Sequence, residues 1–113
     1  MEARATARFV RISPRKARVI ADLVRGKNIS AALDLLGFTR RAAAPHIRKL
    51  IESAVANAKH ASSAVDVDSL YIKKLTVDMG PTGHMRRWRP RAMGRATRIV
   101  KGLSHLSVVL DIR

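Results

Sequence analysis

A chain of 113 residues fits one domain with a modest core. Its 23 basic and 8 acidic residues give a formal charge of +15, a self-repulsion that a polyanionic partner would neutralise. The absence of cysteine excludes disulfides and thiolate metal sites, and no apolar run approaches the roughly 18 residues of a membrane-spanning helix, so no membrane partner is expected.

The N-terminus, M-E-A-R-A-T-A-R-F-V, lacks the apolar centre of a secretory signal and alternates like a strand. Residues 2–10 therefore predict a strand with Arg4, Thr6 and Arg8 on one face and Ala3, Ala5, Ala7 and Phe9 on the other. Ser13-Pro14 opens a helix, Ser as cap and Pro in the first helical position. Its apolar stripe reads Ala17, Ile20, Leu23 and Val24, and Gly26 is the stop. Ser30 caps a short second helix with Ala32, Leu33, Leu35 and Leu36 as its apolar content, ended by Gly37. A third helix covers about 41–61, with Pro45 in its first turn and Ile47, Ile51, Ala54, Val55 and Ala58 as a buried stripe.

Residues 62–69 form a polar loop in which Asp66 and Asp68 serve the turn. Beyond it the period becomes two: Tyr71, Lys73, Leu75, Val77 and Met79 alternate with Leu70, Ile72, Lys74, Thr76 and Asp78. Gly80-Pro81-Thr82-Gly83 reads as a bend. The last strand runs over 95–101, kinks near Gly102 and continues over 103–112, rich in β-branched residues. Strand, three helices and a long hairpin make an α+β fold: three helices packed on a small antiparallel sheet, with a protruding β-hairpin arm at about 78–98, in a single domain over 1–113. From Asp78 to Arg91 such an arm reaches on the order of 40 Å at about 3.3 Å per residue, against a radius of gyration of about 13 Å for a compact body.

Charge is concentrated at the two ends. The segment Met85, Arg86, Arg87, Trp88, Arg89, Pro90, Arg91, Ala92, Met93, Gly94, Arg95 holds five arginines and no acid. Burying five unpaired guanidinium groups is prohibitive, so the segment is read as the tip of the arm, held by water or a polyanion. Arg98 and Lys101 continue the basic run on the returning strand. Trp88 is placed to stack on a base or to pack within the arm, and Gly83 and Gly94 permit close backbone approach. A second basic group, Arg4, Arg8, Arg11, Arg15, Lys16, Arg18, Arg25 and Lys27, is opposed only by Glu2 and Asp22. Sixteen of the basic residues are Arg, whose planar fork suits phosphate and stacks on bases.

No enzyme is expected, and no metal or cofactor. His46, His60, His84 and His105 lack metal-ligand spacing, and the loop 80–84 lacks the Gly-Lys-Ser/Thr ending of a nucleotide-phosphate loop. Ser104 and His105, adjacent in a strand, point to opposite faces and form no catalytic pair. An architectural DNA-binding protein would need a dimer embracing the duplex, and nothing here reads as a large apolar dimer surface. A membrane-active or nucleic-acid-processing protein would need a strongly amphipathic basic helix or a catalytic constellation. The reading is an RNA-binding scaffold with no homo-oligomer.

Several motifs then resemble one family throughout the chain: S-P-R-K-A-R-V-I-A-D-L-V-R-G-K at 13–27, I-E-S-A-V-A-N-A-K-H at 51–60, V-D-M-G-P at 77–81, R-P-R-A-M-G-R-A-T-R-I at 89–99 and S-H-L-S-V-V at 104–109. In this order they are similar to the bacterial large-subunit ribosomal protein family numbered twenty-two. The resemblance implies a structural constituent of the large subunit, with a body near the exit of the peptide tunnel and a hairpin threading the large-subunit rRNA. It implies a hairpin tip lining the nascent-peptide exit tunnel, here Met85 to Arg95. It also implies help in subunit assembly and an influence of the tip on macrolides and on some nascent chains. Its partners would be large-subunit rRNA, neighbouring large-subunit proteins and the nascent peptide, in a cytoplasmic or organellar ribosome. The chain departs from the family pattern at Met79, where an acid is usual, at Trp88, at Gly102-Leu103, and in a slightly longer segment between Pro81 and Pro90.

Overall fold

The computed structural model describes residues 2–62, 66–80 and 103–112, and residues 86–90 and 96–100 by their backbone. In chain order the elements are β1 (Glu2–Val10), α1 (Pro14–Val24), α2 (Ile29–Phe38), α3 (Ala43–Ala61), a 3₁₀ turn (Val67–Ser69), β2 (Leu70–Met79), β3 (Arg86–Pro90), β4 (Ala96–Val100) and β5 (Ser104–Ile112). β5 is the middle strand of a three-stranded sheet, order β1-β5-β2, and both pairings are antiparallel. β3 and β4 form a separate two-stranded antiparallel sheet. The α+β architecture read from the sequence is the one observed. The Cα radius of gyration, 17.1 Å, exceeds the roughly 13 Å of a compact domain this size.

Every second residue of β5 from Ser104 to Leu110 is buried, and α1 and α3 close over that face. On α1 the buried residues are Pro14, Ala17, Ile20, Ala21 and Val24, whereas Leu23 is 44% exposed. Ala21, four residues after Ala17, takes the place expected of Leu23, and the smaller side chain lets the helix sit close. Ser13 stands at the N-cap without a side-chain capping bond. Asn28, not Ser30, precedes α2, and Asn28 also bridges to Tyr71, so tertiary pairing fixes where this helix starts. α2 runs through Gly37 to Phe38, and the Thr39 hydroxyl then donates to the Leu35 carbonyl at 2.7 Å. α3 buries Ile47, Leu50, Ile51, Ala54 and Ala58, the expected stripe with Leu50 added and Val55 at its margin. In the 3₁₀ turn the Asp68 N–H donates to Asp66 Oδ1 at 3.0 Å, the turn role read for this pair.

β2 breaks strict alternation. Leu70 and Ile72 are buried, and so are Leu75 and Val77, of opposite parity. The register slips between Ile72 and Lys74: Ile72 faces Leu110 and Lys74 faces Val109, leaving Lys73 as the extra residue of a bulge. The bulge turns all four apolar side chains to the core. The outer edge of β2 is also occupied. Gly26 N–H donates to the Ile72 carbonyl at 3.1 Å, and Ile72 N–H donates to the Lys27 carbonyl at 3.0 Å. Gly26 makes this approach with φ +82°, a conformation that costs glycine little. Further along, Arg25 Nε and Nη2 donate to the Leu75 carbonyl at 3.1 and 2.8 Å, and Arg18 Nε and Nη2 donate to the Val77 carbonyl at 3.2 and 3.1 Å.

A second irregularity lies in β1, whose register with β5 shifts between Ala7 and Val10. Phe9 there has φ 56°, rare for a bulky residue. Its N–H donates to His105 Nδ1 at 3.1 Å and its ring meets the imidazole edge-on at 5.0 Å. Phe9 is therefore 59% exposed and does not share the alanine face. Beside this bulge, Gly80 N–H donates to the Leu103 carbonyl at 2.7 Å, and a Cβ on Gly80 would lie 3.1 Å from Leu103 Cβ. Ser104 is fully buried and donates from Oγ to the Ile12 carbonyl at 2.6 Å.

Between β3 and β4 the pairing runs from Arg86 opposite Val100 to Pro90 opposite Ala96. Five of the eleven residues expected as a tip, Arg86–Pro90, are thus strand. The connection 91–95, the bend expected at 81–83 and the kink expected at Gly102 lie outside the described residues.

Candidate nucleic-acid interface

The N-terminal cations divide by what holds them. Arg18 and Arg25 engage the edge of β2, and Arg25 also pairs with Asp22. Arg4 pairs with Glu2 at 3.3 Å, and Glu2 also holds Lys73 at 2.6 Å, with Asp111 3.5 Å from the same ammonium. This cluster lowers the Glu2 pKa, chiefly through the Lys73 hydrogen bond and then through Arg4, and the bond to Glu2 raises that of Lys73. Asp111 is lowered first by the Ile112 N–H. Arg8, Arg11, Arg15, Lys16 and Lys27 are exposed, and no acid among the described residues pairs with them. Five of the eight residues expected on this face are therefore exposed without an acid partner among the described residues, while Arg4 pairs with Glu2 at the surface and Arg18 and Arg25 engage carbonyls of β2.

At the start of α1 and α3 the fold opens a cleft of about 350 Å³, lined by Ile12, Arg15, Lys16, Val19, Arg41, Ala42 and Ala43. Neither helix has an acid in its first turn. Ile12 lies at the junction with the arm, because its carbonyl accepts the Ser104 bond while its side chain lines the cleft. Sequence reasoning does not single out Arg41. Only the packing of α3 against α1 brings it beside Arg15 and Lys16, and the one sequence signal is the Arg40-Arg41 doublet ahead of the third helix.

The arm contributes its charge through sequence and backbone. Residues 81–102 contain seven basic residues and no acid. Arg86, Arg87 and Arg89, with Trp88 and Pro90, are on β3, and Arg98 is on β4. Met85, Arg91, Met93, Gly94, Arg95 and Lys101 lie outside the described residues. Among the described residues no group of His, Asp or Glu is arranged to hold a metal, and no helix is long and apolar enough to cross a membrane. His46 and His60 are exposed on α3, and His105 is engaged with Phe9.

Comparison with known proteins agrees in extent with the whole fold. The family model described as Ribosomal protein L22p/L17e matches residues 5–111. A Sorangium cellulosum protein named large ribosomal subunit protein uL22 is 58% identical over 100% of this chain and 99% of its own length. Proteins of the same name from Myxococcus xanthus and Syntrophobacter fumaroxidans are 57% and 53% identical, each over 97% of this chain and covering 96% and 97% of their own lengths.

Proposed function

This chain belongs to the ribosomal protein L22p/L17e family, and from that membership we propose that it binds large-subunit rRNA through its body and threads its arm among rRNA segments. It is a structural constituent of the large ribosomal subunit in the bacterial cytoplasm, not an enzyme. The observation that carries the finer reading is the β3–β4 ribbon: a two-stranded sheet apart from the main sheet, in a stretch with seven basic residues and no acid. A two-stranded ribbon is marginal alone in water, and phosphates supply both the support and the neutralising charge. From its family membership the ribbon is assigned two roles: it bridges rRNA segments during assembly, and its end, within Met85 to Arg95, lines the peptide tunnel and meets the nascent chain. The body docks beside neighbouring large-subunit proteins as a single copy.

Replacing Arg86, Arg87, Arg89 and Arg91 together by Gln tests this. Subunit incorporation, read by sedimentation, falls. The salt dependence of binding to large-subunit rRNA flattens by about 0.7–0.9 in log–log slope for each phosphate that is no longer neutralised. Wild-type incorporation with an unchanged salt slope would sink the reading.

A further inference from the structure

We propose that the cleft between α1 and the start of α3 receives one unstacked nucleotide of large-subunit rRNA. The inference rests on the rRNA-binding reading above and locates one grip on the body. The apolar lining comes from Ile12, Val19, Ala42 and Ala43, and Arg15, Lys16 and Arg41 line the same cleft with no acid among them. A bare phosphate has no use for an apolar wall. An apolar protein segment has no use for three cations. A nucleotide needs both, because its base is a flat apolar plate attached to an anion. Guanidinium planes stack on looped-out bases, and a lysine ammonium serves phosphate as a point charge.

The size agrees. The cleft, about 350 Å³, falls at the lower end of the roughly 300–1,000 Å³ of small-ligand sites, and a duplex would not enter it. Val19 is 50% exposed, so a base resting there would cover apolar surface that the free chain leaves in water. The lack of acids in the first turns of both helices leaves no carboxylate to compete for the cations. Ile12 lines the cleft and its carbonyl accepts the Ser104 bond at the start of β5, so the cleft adjoins the strand that follows the arm in sequence.

Ultraviolet cross-linking of intact large subunits containing this chain, with mass spectrometry of nucleotide–peptide adducts, tests the proposal. The expected result is an adduct within residues 12–19 or 41–43, lost in Val19→Asp, while adducts within 81–102 persist in both. Val19 is on the outer face of α1, so Val19→Asp retains the fold, as circular dichroism would verify. Adducts confined to the arm would overturn the cleft proposal and leave rRNA binding standing. No adduct anywhere on the chain would remove the rRNA reading itself. An amine cross-link from Lys16 to a neighbouring ribosomal protein, in place of a nucleotide adduct, would assign the cleft to protein and overturn the proposal.

Discussion

In the body, β5 hydrogen-bonds to β1 on one side and β2 on the other, and it buries every second side chain from Ser104 to Leu110. In the arm, β3 and β4 pair with each other as a second sheet among the described residues, within a stretch that has seven basic residues and no acid. The body acquires its order by removing apolar surface from water. The arm's sequence provides little such surface and seven like charges, which a polyanionic partner would neutralise. Apolar burial and cationic charge are thus weighted towards different parts of one chain, and substitutions should separate their effects.

The largest effect on stability should come from the body. Ile51 is fully buried on α3, and Ile51→Ala is expected to cost about 2–5 kcal/mol in urea unfolding. A cost under about 1 kcal/mol would mean that α3 is not part of the cooperative core. Next is the junction: in Gly80→Ala the new methyl meets Leu103 Cβ at 3.1 Å and its carbonyl carbon at 3.2 Å, where β2 and β5 leave the main sheet. About 1–3 kcal/mol of overpacking is expected. The same variant should show weaker amide protection at Gly80's neighbours than at Leu110. Arg25→Ala leaves the Leu75 carbonyl to water and should cost about 1 kcal/mol, discounted for the partial exposure of Arg25.

Smaller still is the Glu2 cluster. Because Lys73 and Arg4 lower the folded pKa of Glu2, its contribution is present above the ordinary carboxylate range and is lost as pH falls through the folded value. Asp111 acts in the same direction, and the raised Lys73 loses its share only as pH rises past the ordinary lysine range. The thermal midpoints of wild type and Glu2→Gln should therefore differ by a small constant amount at neutral pH and converge below about pH 4. A difference that widened in acid would contradict this. The smallest stability change belongs to the arm: the four-arginine variant should unfold within about 0.5 kcal/mol of wild type, although its incorporation fails. A large loss of stability would mean that arm and body fold as one unit.

Much of this is legible from periodicity, and the exceptions have local causes. The stripe on α3 is readable because nineteen helical residues repeat the pattern several times. β2 cannot be phased from its sequence, since one inserted residue at Lys73 reverses the parity of everything after it and leaves no mark in composition. Leu23 reads as interior because it is large and apolar, whereas close packing of α1 selects Ala21. Arg18 and Arg25 look like surface charge. Their bonds to carbonyls of β2, more than forty residues away in sequence, exist only once the sheet is formed. The cleft is illegible for the same reason, since Arg41 meets Arg15 and Lys16 only through helix packing.

The arginines on the rim of β2 have one more consequence. An uncovered strand edge is a template on which a second copy of the chain can add a strand, and then a third. Here the 26–28 segment and two guanidinium forks occupy that edge, and on the other side Asn57 Nδ2 donates to the Arg4 carbonyl of β1 at 2.8 Å. Growth from β2 would require stripping away charged, well-hydrated groups. Among the described residues, the β2 edge is thus closed to strand addition by a second copy.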